Sequence, residues 1–205
     1  MNRIPLVFIG LFCTFLFSWL GLVISPFVQF GKLQPYVNDD GEVLPHPLNG
    51  LAQQGELVYV ANGCVYCHSQ QIRPAQTGSD IERGWGNRQT VARDYINFKT
   101  ISLGTMRTGP DLANTGVRLR DKQWHYKHLY NPQITTPGST MPPFAFLFQK
   151  RPILDGKSSV DAIQIEGAYA PPAGYEIVPT PQAIALVEYL LSLKMNYPLP
   201  EAPVE

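Results

Sequence analysis

From Leu6 to Ser25 the chain reads LVFIGLFCTFLFSWLGLVIS, without one charged side chain. No other feature restricts the fold so tightly, because about 20 apolar residues wound as a helix cross the hydrocarbon core of a bilayer. A cleaved signal peptide has an apolar region of roughly 7–15 residues that ends in a small-residue cleavage site. This run is longer and SPFVQF follows it, so we read it as an uncleaved anchor. Phe8, Phe12, Phe15, Trp19 and Leu22 recur along one helical face. Arg3 and the terminal amine precede the span, while Lys32, Asp39, Asp40 and Glu42 follow it. The positive-inside rule then places the N-terminus in the cytoplasm and the rest of the chain outside it.

Beyond the anchor, residues 26–48 carry Pro26, Pro35, Pro45 and Pro47 and read as extended. We divide the chain into an anchor over 1–30, a linker over 31–48 and a soluble domain over 49–200. In that domain Leu51, Gln54, Leu57, Val58 and Ala61 predict a helix from Asn49 to Gly63. A second, short helix is predicted over Asp121–Tyr130, ended by Asn131-Pro132 because the residue before proline avoids helical angles. A third opens at Thr180-Pro181 and carries Ile184, Val187, Leu190 and Leu191 as an apolar stripe. Residues 69–110 read as loops, and 150–178 as an inserted surface excursion. Pro and Gly number 19 and 17, above average usage, which agrees with long turn-rich connections around a modest core. Lys+Arg and Asp+Glu are 16 each, and this balance gives no footprint for nucleic acid.

The chain has three cysteines. Cys13 lies inside the apolar run and reads as a small buried hydrophobe. Cys64 and Cys67 stand in NGCVYCHSQ, followed at once by His68. That spacing serves half of a zinc site, a dithiol redox centre, or covalent attachment of a c-type haem. Zinc wants four ligands; outside the motif only His46, His125 and His128 remain, with no second CxxC. A thioredoxin-type dithiol belongs beside a βαβ pattern, whereas here a predicted helix precedes the motif and loops follow. A haem uses Cys64 and Cys67 for thioether bonds and His68 as proximal ligand, and an electron-transfer haem commonly takes a methionine on its other side. Of Met106, Met141 and Met195, Met141 sits in the proline-braced loop STMPPF, Met106 is its competitor, and Met195 reads as core. The haem reading is the one that the rest of the chain accommodates, and its attachment requires export, in agreement with the topology.

With CVYCH, RTGPDL (107–112), TMPPF (140–144) and ALVEYLLSL (185–193) in that order, the soluble part resembles a class I cytochrome c. The resemblance implies an all-α fold: one transmembrane helix, then a small helical domain with long loops around one covalent haem c. Its first and last helices would cross at Gly55 and Tyr59 against Tyr189 and Leu190. By the same resemblance the carbonyl of Pro110 would accept a hydrogen bond from the His68 imidazole.

The stretches CVYCHSQQIRP (64–74), RTGPDLANTG (107–116) and WHYKHLYNP (124–132) behind one N-terminal anchor narrow the likeness. They are similar to the membrane-anchored mono-haem cytochrome c subunit of cbb(3)-type haem–copper oxidases. That resemblance implies a single-pass protein of the bacterial inner membrane with its haem domain on the periplasmic side. It would take electrons from a di-haem cytochrome c subunit or a soluble donor and pass them to the catalytic haem–copper subunit, without being the catalytic chain itself. Carried over, Cys64 and Cys67 hold the haem, His68 and Met141 are its axial ligands, and Arg73 and Arg107 lie near propionates or the catalytic-subunit interface. Thr105 would fall where the family's loop approaches the catalytic subunit's haem. Residues 75–100 and 150–178 depart from the family pattern. The mono-haem subunit of nitric oxide reductases shares the architecture, and a membrane-anchored haem sensor is the reading from another class. For a sensor, His125 and His128, about one turn apart, would reach the haem edge.

Overall fold

The computed structural model describes residues 3–154 and 156–204. Met1 with its terminal amine, Asn2, Asp155 and Glu205 lie outside the described residues, so that part of the topology argument, and the parts of the anchor and of the 150–178 excursion that fall on them, lie outside as well. The described chain is mostly helical. It departs from an all-α expectation by two short antiparallel strand pairs.

Two compact units divide it: residues 1–45 with 92–96, and residues 46–91 with 97–205. In the first, α1 (Ile4–Trp19) passes through wide π-type turns at Leu20–Ile24 into α2 (Ser25–Phe30). Together they make one apolar helix of 27 residues, about 40 Å at 1.5 Å per residue, which is long enough to span a bilayer core. The helix therefore runs through Pro26, where an extended chain is expected from the sequence. Proline lacks an N–H and its ring crowds the carbonyl one turn back; the wide turns just before it relieve both demands, a known adjustment in membrane helices.

The linker is not wholly extended either. Strand β1 (Tyr36–Val37) pairs with β2 (Val43–Leu44). The Asn38 side chain accepts from the amides of Asp40 at 3.1 Å and Glu42 at 2.8 Å, so the NDDG stretch closes a hairpin by the usual Asx chemistry.

In the second unit, α3 (Gly50–Ala61) starts where Asn49 accepts from the Ala52 amide at 2.8 Å, satisfying an otherwise orphaned donor. α4 (Thr115–Arg118) is a single turn. α5 (Lys122–Tyr130) is capped by Asp121, which accepts from Gln123 and Trp124. α6 (Pro181–Ser192) is capped by Thr180. The core forms where α3 crosses α6. A Cβ on Gly55 would stand 2.0 Å from the Ala185 carbonyl oxygen and 2.7 Å from Tyr189 Cβ, so only glycine lets the helices approach this closely. Tyr59 and Tyr189, both essentially unexposed, pack at 5.4 Å between ring centroids, within the range for tilted aromatic pairs.

The excursion is closed at its base by strands β3 (Phe148–Pro152) and β4 (Tyr175–Pro179), in register from Phe148↔Pro179 to Pro152↔Tyr175. Ile177 and Val178 turn inward from β4 while most of β3 is exposed. The ribbon thereby delivers the chain to Thr180 and α6.

Candidate haem site

α3 ends at Asn62, and Gly63 in the left-handed region turns the chain into one tight turn over Cys64–Tyr66. The amides of Cys67 and His68 both donate to the Cys64 carbonyl, at 3.2 and 3.0 Å. This turn gathers both cysteines and His68 at the end of α3. Cys64 is half-buried and Cys67 exposed; burial pushes the Cys64 thiol up to about 11, so it stays a protonated thiol at neutral pH.

The segment after the motif is laced to residues 107–113. Gly109 donates its amide to the Cys67 carbonyl at 2.9 Å, and Leu112 donates to that of Ser69 at 2.8 Å. His68 Nδ1 lies 2.8 Å from the Pro110 carbonyl oxygen. A carbonyl only accepts, so the ring carries its proton on Nδ1 and leaves Nε2 free as a lone-pair donor. Burial pushes the His68 imidazole below its ordinary value, opposed by the Pro110 carbonyl and the Asp111 charge. It is neutral, and therefore able to ligate, at physiological pH.

The imidazole faces an apolar cavity. Cys64, His68, Pro110 and Met141 line it. Tyr59, Leu186 and Leu190 contribute from the α3–α6 core, and Trp124, His125, His128 and Leu129 from α5. A wider depression shares His68, Met141 and Trp124 with this cavity and adds Cys67. The structure thus brings Cys64, Cys67, His68, Pro110 and Met141 to one place. Met106 is 59% exposed and Met195 3% exposed; neither lines the cavity.

Two polar groups in the wall were not singled out from the sequence. Thr115 Oγ1 and Arg118 Nε are buried and have no hydrogen-bond partner among the described residues, although both residues line the cavity. A buried donor left unmade costs about 1–3 kcal/mol, more when charged. An apolar cavity edged by an unpaired guanidinium nitrogen fits a flat, largely apolar group that ends in carboxylates. Among the described residues no three His, Cys, Asp or Glu side chains converge. A porphyrin needs no such cluster, because it brings four equatorial nitrogens and asks the protein only for axial ligands. The residues present therefore fit a haem.

Arg73 and Arg107 line neither the cavity nor the depression. Arg107 is bound to Asp80 at 2.6 and 2.7 Å, donates to Ser69 Oγ at 2.7 Å and to the Gln71 carbonyl at 2.6 Å, and lies over Trp85. Arg73 donates its backbone amide to Asp80 at 2.8 Å while its side chain stays at the surface. Thr105 is exposed. His125 is buried with Nε2 2.8 Å from the Leu119 carbonyl, and His128 stacks on Trp124 at 4.7 Å with Nδ1 2.6 Å from Thr135 Oγ1. No sequence signal distinguishes Arg118 from a solvated charge, since its guanidinium is held by the Asp111 carbonyl and much of the rest of the cavity wall comes from α3, α5 and α6.

A model of the family described as cytochrome c oxidase, mono-heme subunit/FixO matches residues 12–193. No individual curated protein is significantly similar to the chain.

Proposed function

We propose, because this chain belongs to the cytochrome c oxidase mono-haem subunit (FixO) family, that it is the electron-transfer subunit of a cbb(3)-type haem–copper oxidase. In this reading it holds one covalent haem c in a class I cytochrome c domain over residues 49–200, anchored through Ile4–Phe30 with the haem domain on the periplasmic side. The haem, when bound, supplies a reversible one-electron ferric–ferrous couple.

The single observation that carries the reading is the tight turn of CVYCH at the mouth of an apolar cavity that His68 and Met141 both line. Cys64 and Cys67 would hold the group through thioether bonds, and His68 Nε2 and Met141 Sδ would ligate its iron. Pro110 orients the imidazole through Nδ1 and raises its basicity. Tyr59, Leu186 and Leu190 exclude water, and Arg118 with Thr115 would take up a propionate. The chain itself moves no proton and needs no acid–base pair. It delivers electrons from a di-haem subunit or soluble donor to the catalytic subunit, where oxygen is reduced.

The test has two steps on the complex that co-purifies with the full-length chain. A reduced pyridine haemochrome of this chain should have the haem c spectrum. Turnover is then offered oxygen and nitric oxide in parallel; rapid oxygen uptake with little nitric oxide reduction is expected. Preferential nitric oxide reduction would move the chain to a reductase complex. A haem protein with no partner, whose reduced form binds carbon monoxide, would make it a sensor.

A further inference from the structure

Two buried carboxylates and a partly buried guanidinium lie together just behind His68. Asp80 is 2% and Asp111 0% exposed, and the Arg107 side chain is 16% exposed. Withdrawing such charges from water costs several kcal/mol per ion, and an apolar cluster of the same volume is often as stable or more so. Stability alone therefore does not explain this cluster, and in some proteins ions retained in this way supply conformational specificity.

Its geometry is centred on one hydrogen bond. Ser69 follows His68 and Asp111 follows Pro110. The Ser69 Oγ to Asp111 Oδ2 bond, at 2.5 Å, lies one residue beyond the His68–Pro110 bond on both segments. Asp111 also accepts from the Gln71 amide and the Ala113 amide, both at 2.8 Å. Arg107 donates to Ser69 Oγ and to the Gln71 carbonyl from the other side, and Asp80 holds both arms of its fork. Each component grips a residue adjacent to, or within a few positions of, the two groups that orient the ring.

We infer that Asp80, Arg107, Asp111 and Ser69 form a positioning brace that sets the His68–Pro110 hydrogen bond, and through it the orientation and donor strength of the His68 imidazole. The inference rests on the haem reading above. None of the four residues touches the cavity; they act through His68. A lengthened Nδ1–H···O=C bond makes the imidazole a poorer electron donor, which destabilises the ferric state and raises the midpoint potential.

The experiment uses the full-length chain in detergent, first checked for thioether-bound haem. Ser69→Ala removes the hydroxyl pivot yet leaves every buried charge with a partner; Arg107→Lys keeps the charge and loses the fork. Ser69→Thr keeps the hydroxyl and serves as rescue. Arg151→Gln, which breaks the Arg151–Glu176 pair on β3 and β4, is a control for stability alone. Midpoint potential and the hyperfine-shift pattern of the haem methyls, which reports imidazole orientation, are the readouts. Ser69→Ala and Arg107→Lys are expected to raise the potential and redistribute the methyl shifts, Ser69→Thr to restore both, and Arg151→Gln to change only the melting temperature. If Arg107→Lys does not fold, Ser69→Ala decides alone. Wild-type potential and methyl pattern in Ser69→Ala, whatever its melting temperature, overturn the brace and leave the haem reading intact. A wild-type chain without thioether-bound haem overturns both at the first step.

Discussion

Gly109 underlies the His68 imidazole so closely that a Cβ there would stand 2.3 Å from ring Cε1 and 2.7 Å from Nδ1. The backbone at 109 is thus the floor on which the ring lies, and the next carbonyl, Pro110, sets its rotation. Gly109→Ala should displace the ring, break the Nδ1 bond and destabilise the domain by about 1–3 kcal/mol, the usual cost of overpacking. Covalent haem should remain, since neither cysteine is touched, while the low-spin spectrum changes. A wild-type spectrum in the variant would show that the loop yields instead of the ring.

Met141 lines the cavity with His68, whereas Met106 is 59% exposed and lines neither that cavity nor the depression beside it. Met141→Ala is expected to abolish the weak far-red band of a methionine–ferric bond, lower the midpoint potential and slow oxidase turnover, with the haem still attached, because methionine ligation raises the potential. Met106→Ala should leave potential and band as they are. The reverse result would transfer the ligand role to Met106.

The α3–α6 crossing depends on one missing methyl group. Gly55→Ala puts a Cβ 2.0 Å from a backbone oxygen, an atom that cannot rotate away as a side chain can. The helices must separate, and we expect a loss of at least about 1–3 kcal/mol, seen as a lower melting temperature with the Tyr59–Tyr189 pair loosened. A melting temperature within error of wild type would mean that the crossing is softer than its contacts imply.

Burial pushes the imidazoles of His125 and His128 below their ordinary values, His128 to about 4 with His68 and His125 adding to the effect. An unfolded imidazole titrates near 6.5. Between that pH and the folded values the unfolded chain binds more protons, so stability falls as the pH is lowered through the window. Melting temperatures measured from pH 8 to 4.5 should decline below about pH 6.5, and less steeply in His128→Gln. Identical slopes for the two proteins would refute the assignment.

Local structure was legible where one residue's chemistry sufficed. Asn49, Asp121 and Thr180 can cap because their oxygens accept from the first turn's amides, and the three helices begin beside them. Pro26 misleads, since the rule against proline inside helices omits the wide turns that accommodate it. The β3–β4 ribbon was also hidden, because its strands pair across more than twenty intervening residues and most of β3 faces water.

The charge-free run that must be a helix if it meets a bilayer, and the cysteine and histidine spacing of CVYCH, are properties of consecutive residues and were readable before any fold was known. What a side chain does at longer range depends on the packing around it. Arg107 and Arg118 are the same residue type eleven positions apart. One is consumed by Asp80 and Ser69 behind the site, and the other brings an unpaired nitrogen to the cavity wall. A cation's role is set by which carboxylates and carbonyls the fold packs around it, and those come from distant segments that no local pattern brings together.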